Sequence, residues 1–133
     1  MAESKQRILL VDDEPSILKT VGKWLEVSGY EVVVAVDGEH ALERAKTERP
    51  DLIVLDLMLP KLSGLKVCSL LKQDAQYQQI PIIIFTGKDQ VVDDEACRKC
   101  GADSYVTKTQ GTMVLLEHIR TLLKPRSADS SPA

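Results

Sequence analysis

Five times along this chain a short, largely β-branched apolar run is followed by apolar residues at helical spacing. Ile8-Leu9-Leu10-Val11 precedes Ile17, Leu18, Val21 and Leu25, and a strand over 31–36 precedes Ala41, Leu42 and Ala45. Leu52-Ile53-Val54-Leu55 precedes Leu65, Cys68 and Leu71. Pro81 opens Ile82-Ile83-Ile84-Phe85-Thr86 ahead of a helix expected over about 90–100. Ser104-Tyr105-Val106-Thr107 leads to a final helix from about Thr112, with Met113, Leu116, Ile119 and Leu123 turned inward. The punctuation agrees: Pro15 suits a first helical turn, Gly29 and Gly101 suit helix stops, and Ser63 suits an N-cap. Asp37-Gly38 reads as a turn, and Pro50 ends the second helix. Strict β-then-α alternation predicts an α/β fold, a five-stranded parallel sheet with helices on both faces and right-handed crossovers.

The chain has 133 residues, enough to bury roughly two-thirds of its unfolded surface in one core. Aromatics make up only 4%, so that core is built from Val, Ile, Leu and Ala. A net charge of -3 excludes nucleic-acid binding or membrane-surface binding through a basic face. No apolar run has signal-peptide or membrane-span length, and three cysteines without a secretory leader indicate free thiols in a cytoplasmic setting. Residues 1–5 are expected to be a tail, 6–124 the folded domain, and 125–133 a polar, disordered tail or linker.

One residue breaks the pattern. The third strand should continue beyond Leu55 as an apolar run, and Asp56 stands there instead, followed by Leu57-Met58-Leu59-Pro60 and the loop signal Ser63-Gly64. A carboxylate at the exit of a buried strand is expensive unless something uses it. In open parallel sheets the functional crevice lies outside the carboxyl ends of the strands. That rule selects Asp12 and Asp13 after strand one, Asp56 after strand three, Thr86 at the end of strand four and Lys108 after strand five. Three carboxylates on one rim repel one another and call for a cation. With no histidine or cysteine among them, the donor set is hard oxygen and suits Mg2+ rather than zinc. A lysine ammonium and a threonine hydroxyl on the same rim suit a phosphoryl group. An aspartate can itself attack phosphorus to give an acyl phosphate.

These residues resemble the receiver domain of two-component response regulators. Four motifs carry the resemblance: Val11-Asp12-Asp13-Glu14-Pro15; Asp56-Leu57-Met58-Leu59-Pro60 with Ser63-Gly64; Pro81-Ile82-Ile83-Ile84-Phe85-Thr86-Gly87; and Gly101-Ala102-Asp103-Ser104-Tyr105-Val106-Thr107-Lys108. The resemblance spans about 7–123 and implies a flavodoxin-like strand order, 2-1-3-4-5. It implies that Asp56 accepts a phosphoryl group from a sensor histidine kinase or a histidine phosphotransfer protein. Asp13, Asp56 and the backbone carbonyl of Met58 would ligate Mg2+, with Asp12 acting mainly through a bound water. Lys108 would pair with a phosphoryl oxygen. Thr86 would move to the phosphoryl group with Tyr105 following it inward. The face of the fourth helix, fifth strand and final helix would then change its affinity for a downstream protein, or for an output domain carried by a longer chain. Self-phosphorylation and slow autodephosphorylation would be its only chemistry. Where the family usually has a proline in a cis peptide after the lysine, this chain has Thr109. A cis bond before a non-proline residue costs roughly 2.5–4 kcal/mol, so either the loop turns in trans or it keeps that strain.

Other classes fit less well. An aspartate-nucleophile phosphohydrolase needs an acid, usually two residues past the nucleophile, and Met58 stands there. A flavodoxin-like FMN binder needs a phosphate loop after strand one, where Asp12-Asp13-Glu14 would repel it. A receiver-like module that binds partners without phosphorylation would have lost a rim residue, and none is lost. Cys97-Arg98-Lys99-Cys100 lacks the second pair or the helix-start position of a zinc or redox motif, so its cysteines, like Cys68, read as packing residues. His40 and His118 have no ligand spacing and read as surface or packing residues. Glu43-Arg44 and Glu48-Arg49 read as solvated helix charges.

Overall fold

The structure, a computed structural model, describes residues 5–59, 61–87 and 100–123. Its elements run β1 (Arg7–Val11), α1 (Pro15–Val27), β2 (Glu31–Ala35), α2 (Gly38–Glu48), β3 (Leu52–Leu55), α3 (Gly64–Lys72), β4 (Ile82–Thr86) and β5 (Ser104–Thr107). A 3-10 turn (Lys108–Gln110) and the final helix (Thr112–Leu122) follow. All strand pairings are parallel, and the order is β2-β1-β3-β4-β5. The three inner strands are apolar on both faces because helices cover both, as continuous Val/Ile/Leu runs require. On one side Ile8, Leu10, Val54, Ile83 and Phe85 meet Val21 and Leu25 of α1 and Leu115, Leu116 and Ile119 of the final helix. On the other, Leu9, Val11, Ile53, Leu55 and Ile84 meet Ala41 and Ala45 of α2 and Val67, Cys68 and Leu71 of α3. Each fully buried Leu, Ile or Val contributes roughly 1.5–3 kcal/mol.

The local differences from the sequence expectation have physical causes. β2 stops at Ala35 because the next backbone N–H, of Val36, turns to His40 Nδ1 (3.4 Å). Asp37 is the N-cap of α2, its carboxylate accepting from the His40 N–H at 2.7 Å, so the helix begins at Gly38, inside the expected turn. Met113 is exposed (57%), not inward. The buried stripe of the final helix is Leu115, Leu116 and Ile119, and stepping back by threes from Leu116 rotates Met113 off it. Leu65 is only partly buried, and Val67 takes the inner position on α3. Glu48 and Arg49 are less free than solvated charges. Glu48 pairs with Arg7 and Arg44, and the Arg49 guanidinium stacks 5.7 Å from the Tyr77 ring centre. Cys68 and Cys100 are buried free thiols, as packing residues should be. The helix expected over 90–100 lies outside the described residues except for Cys100, as do Cys97 and the 125–133 tail. No described helix is long and apolar enough to cross a membrane.

Candidate functional site

Register builds the site. Val11 pairs with Leu55, so the next residues of the two central strands, Asp12 and Asp56, emerge side by side. The ladder runs one step further on each, with Asp12 N–H on Ala35 O (3.2 Å) and Asp56 N–H on Val11 O (3.1 Å). Both carboxylates are thereby held at the sheet edge, 1% and 3% exposed. Asp13, next in chain and exposed, brings a third, and oxygens from all three lie within 4.8 Å of one another. Asp12 Oδ1 accepts the Glu14 N–H at 3.0 Å, which fixes the turn into α1. Asp56 Oδ1 accepts the Met58 N–H at 3.4 Å, which folds the exposed Met58 back beside the pocket.

Two glycines seat the loop after β3. A Cβ on Gly64 would lie 2.0 Å from the Asp56 carbonyl oxygen, and one on Gly38 would lie 2.0 Å from that of Leu62. Neither position admits a side chain without moving backbone. Gly64 therefore fixes the start of α3 directly beneath Asp56, its N–H on Leu57 O at 2.9 Å.

Lys108 reaches the pocket from the end of β5. Its ammonium lies 2.8 Å from Asp12 Oδ2, 3.2 Å from Glu14 Oε1 and 3.4 Å from Asp56 Oδ2. The Lys108–Thr109 peptide is trans, so of the two options for this loop it takes the unstrained one. Thr107, Thr109 and Gln110 close the turn: Gln110 Oε1 accepts the Thr107 N–H at 2.8 Å, and the two threonine hydroxyls meet at 3.0 Å. Thr86 is fully buried at the end of β4, opposite Thr107 and two residues beyond the level of the Leu55–Ile84 pair. Tyr105 pairs with Ile84 and packs, half-buried, on the α2–α3 side.

Burial dominates the electrostatics. It pushes the Asp12 carboxyl above the ordinary carboxylate range, against the lowering effect of Lys108 and of the Glu14 N–H. Asp56 is also raised, by burial first and by the Asp12 charge second. For Lys108 burial acts downward, but the acids around it prevail and its pKa is raised. The buried Asp12 Oδ2 atom has the Lys108 ammonium at 2.8 Å as its partner. An all-oxygen set of three close carboxylates, two of them buried, fits a hard divalent cation such as Mg2+.

The site thus unites Asp12, Asp13, Asp56 and Lys108 from residues far apart in sequence. It also includes Glu14, which the sequence reading keeps within the motif 11–15 without giving it a role at the site. Its adjacency to Asp12-Asp13 is the one signal that could have marked it.

A doubly wound sheet with an acidic pocket at the ends of its central strands, faced by a lysine from the fifth, defines a receiver domain. The chain belongs to that family: the response regulator receiver domain model matches residues 8–120. It is 44% identical to the alkaline phosphatase synthesis transcriptional regulatory protein PhoP of Bacillus subtilis, over 96% of this chain and 52% of that protein. It is 42% identical to the DNA-binding dual master transcriptional regulator RpaA of Synechocystis, over 89% of this chain and 49% of that protein. The receiver domain of the sensor histidine kinase PA1611 of Pseudomonas aeruginosa, solved with a magnesium ion coordinated in its active site cleft, superposes with a TM-score of 0.83. It shares 28% identity, over 92% of this chain and all of that one. The chain spans about half the length of the curated relatives it matches. Receiver domains of two-component response regulators are phosphoacceptors in signalling, and magnesium is typical of the family.

Proposed function

We propose that Asp56 accepts a phosphoryl group from a histidine of a sensor kinase or phosphotransfer protein in the cytoplasm. What supports this reading is that Lys108 pairs with Asp12 and Asp56 while oxygens of Asp12, Asp13 and Asp56 lie within 4.8 Å of one another, an arrangement that suits a nucleophile, a cation and a fixed positive charge at one point. An Asp56 carboxylate oxygen forms the new bond to phosphorus, the P–N bond to the donor imidazole breaks, and the imidazole leaves with that electron pair and takes up a proton. Asp13, Asp56 and the Met58 carbonyl would hold Mg2+, with Asp12 acting through a water; the ion would neutralise charge on the transferring oxygens. Lys108 would pair with a phosphoryl oxygen. Thr86 would hydrogen-bond the phosphoryl group, with Tyr105 following it. Phosphorylation adds about -1.5 to -2 charges at neutral pH. We assign that charge the role of shifting the face of the segment over 90–100, β5 and the final helix toward a form with different affinity for a downstream protein or an output domain. Residues 6–124 would suffice for the switch. With Met58 two residues beyond Asp56 and no acid there, hydrolysis should be slow.

The test is intact mass after incubation with acetyl phosphate, with and without Mg2+. One phosphoryl adduct that requires both Mg2+ and Asp56, and is lost in Asp56→Asn, is expected. An adduct that persists in Asp56→Asn refutes the assignment of the acceptor.

A further inference from the structure

Lys108 balances the acids of the pocket unevenly. An ammonium has three donor hydrogens, and Lys108 has three carboxylate partners. Two belong to buried acids, Asp12 at 2.8 Å and Asp56 at 3.4 Å. The third, Glu14 at 3.2 Å, stands at the mouth with its side chain 58% exposed. The Glu14 backbone is fixed whatever its side chain does. Its N–H donates to Asp12 Oδ1, and its carbonyl accepts from the Ile17 and Leu18 N–H groups at 3.1 and 3.2 Å. The Glu14 carboxylate therefore reaches Lys108, 94 residues later in the chain, from a fixed point on the backbone.

We infer that Glu14 is a positioning residue: it holds the Lys108 ammonium at the mouth of the pocket and so keeps Asp12 and Asp56 oxygens available to an entering divalent cation. This rests on the proposal that a cation binds among Asp12, Asp13 and Asp56. Ammonium and cation compete for the same acids: the ammonium meets Asp12 Oδ2 and Asp56 Oδ2, and the cation would take Asp56 directly and Asp12 through a water. Without Glu14, the ammonium has only the two buried acids, where a charge pair is stronger than at the surface. The cation must then displace a lysine more firmly seated. With Glu14 present, the lysine has a solvated partner to fall back on.

Glu14 could instead act merely as one more negative charge, and two features separate the cases. Glu14→Asp keeps the charge and shortens the reach by one methylene. Lys108→Gln removes the group through which Glu14 is held to act. The measurement is Mg2+ affinity by titration calorimetry, with no phosphoryl donor, on protein shown folded by circular dichroism. Glu14→Gln and Glu14→Asp should each weaken Mg2+ binding about three- to fivefold, the size of a partly exposed ion pair. In a Lys108→Gln background the same changes should alter affinity less than about twofold. Glu14→Asp binding like wild type, or a Glu14→Gln loss undiminished by Lys108→Gln, overturns the inference. If Lys108→Gln does not fold, the Asp and Gln variants at position 14 decide it alone. A wild type that binds no Mg2+, or Asp56→Asn binding as well as wild type, overturns the underlying metal assignment instead, and the inference falls with it.

Discussion

The two ends of the sheet use charge in opposite ways. Where the strands begin, ions close backbone groups. Arg7 donates to the Glu48 carbonyl at 2.7 Å and pairs with Glu31 and Glu48, while its own N–H donates to Asp51 at 2.7 Å. Lys72 donates to the Ile80 and Gln78 carbonyls at 2.8 and 3.1 Å and pairs with Asp103 at 2.8 Å. That Asp103 oxygen also accepts the Ile82 N–H at 2.8 Å, so one lysine and one aspartate tie α3 to the starts of β4 and β5. Where the strands end, three carboxylates surround a single ammonium, and the two most buried acids have raised pKa values. Ions at the first end mostly close backbone groups, the buried Arg7 Nε being the one left without a hydrogen bond there; those at the second crowd acids around one ammonium and suit a ligand. Perturbed, poorly balanced groups of this kind cluster at functional sites.

The largest effect should come from the acidic end through its backbone. Gly64→Ala places a Cβ 2.0 Å from the Asp56 carbonyl oxygen and should cost about 3 kcal/mol or more in urea denaturation, with loss of labelling. Gly22→Ala is the internal control: its Cβ meets nothing nearer than 3.9 Å, so stability should hold or rise by up to about 1 kcal/mol. If Gly64→Ala is as stable as wild type, the loop beneath Asp56 is looser than this packing implies.

Next in size is the opposite end. Lys72→Met removes the Asp103 ion pair and the donor to two carbonyls and should cost about 1–3 kcal/mol, while Mg2+-dependent labelling of the folded protein stays unchanged. A labelling defect larger than the unfolded fraction would show that the two ends are coupled and that the division between them fails.

That division also explains what the sequence made legible. The period of the apolar runs gave the alternation, and the rule about carboxyl ends of strands picked out Asp12, Asp13, Asp56 and Lys108, because a polar residue directly after an apolar strand has few other reasons to be there. Glu14 escaped because an acid ahead of a helix has an ordinary explanation, and only the three-dimensional path of Lys108 gives it another. The clamp of Lys72 and Asp103 escaped too, since its carbonyl partners leave no trace in residue type. Met113 misled because apolar character alone does not fix the phase of a helix; burial of Leu115 beside Leu116 does.

A smaller effect, of opposite sign, should follow removal of the acceptor. With Asp12 and Asp56 raised by burial, their ionised forms are disfavoured in the fold. Such an acid carries no penalty below its unfolded pKa of about 3.9. The penalty grows as pH rises toward the folded value and is constant above it. Asp56→Asn should therefore be more stable than wild type at pH 7 in EDTA, by about 0.5–2 kcal/mol. That advantage should shrink as pH falls through the raised folded value toward about 4. Saturating Mg2+ should reverse the order, since a ligand at about 100 times its Kd adds about 2.7 kcal/mol to the protein that binds it. Thermal melts at several pH values, with and without Mg2+, check both signs. A variant less stable than wild type in EDTA would mean that Lys108 balances the acids fully.

The smallest effect should fall on Thr109, where the chain departs from the family's proline. Its hydroxyl meets that of Thr107 at 3.0 Å, but the residue is exposed and its peptide bond to Lys108 is trans. The aim of Lys108 is set by other means. Thr107 is held against Thr86 by the β4–β5 register, Gln110 caps the Thr107 N–H at 2.8 Å, and Gly111 turns the chain at φ 96° into the final helix. Thr109→Ala should thus shift stability by no more than about 0.5 kcal/mol and leave the acetyl phosphate labelling rate within about twofold. Gln110→Ala, which uncaps the Thr107 N–H, should do more to both. If Thr109→Ala slows labelling as much as Lys108→Gln does, the lysine is aimed by that one hydroxyl, and the acidic end depends on a surface contact that its buried geometry makes unnecessary.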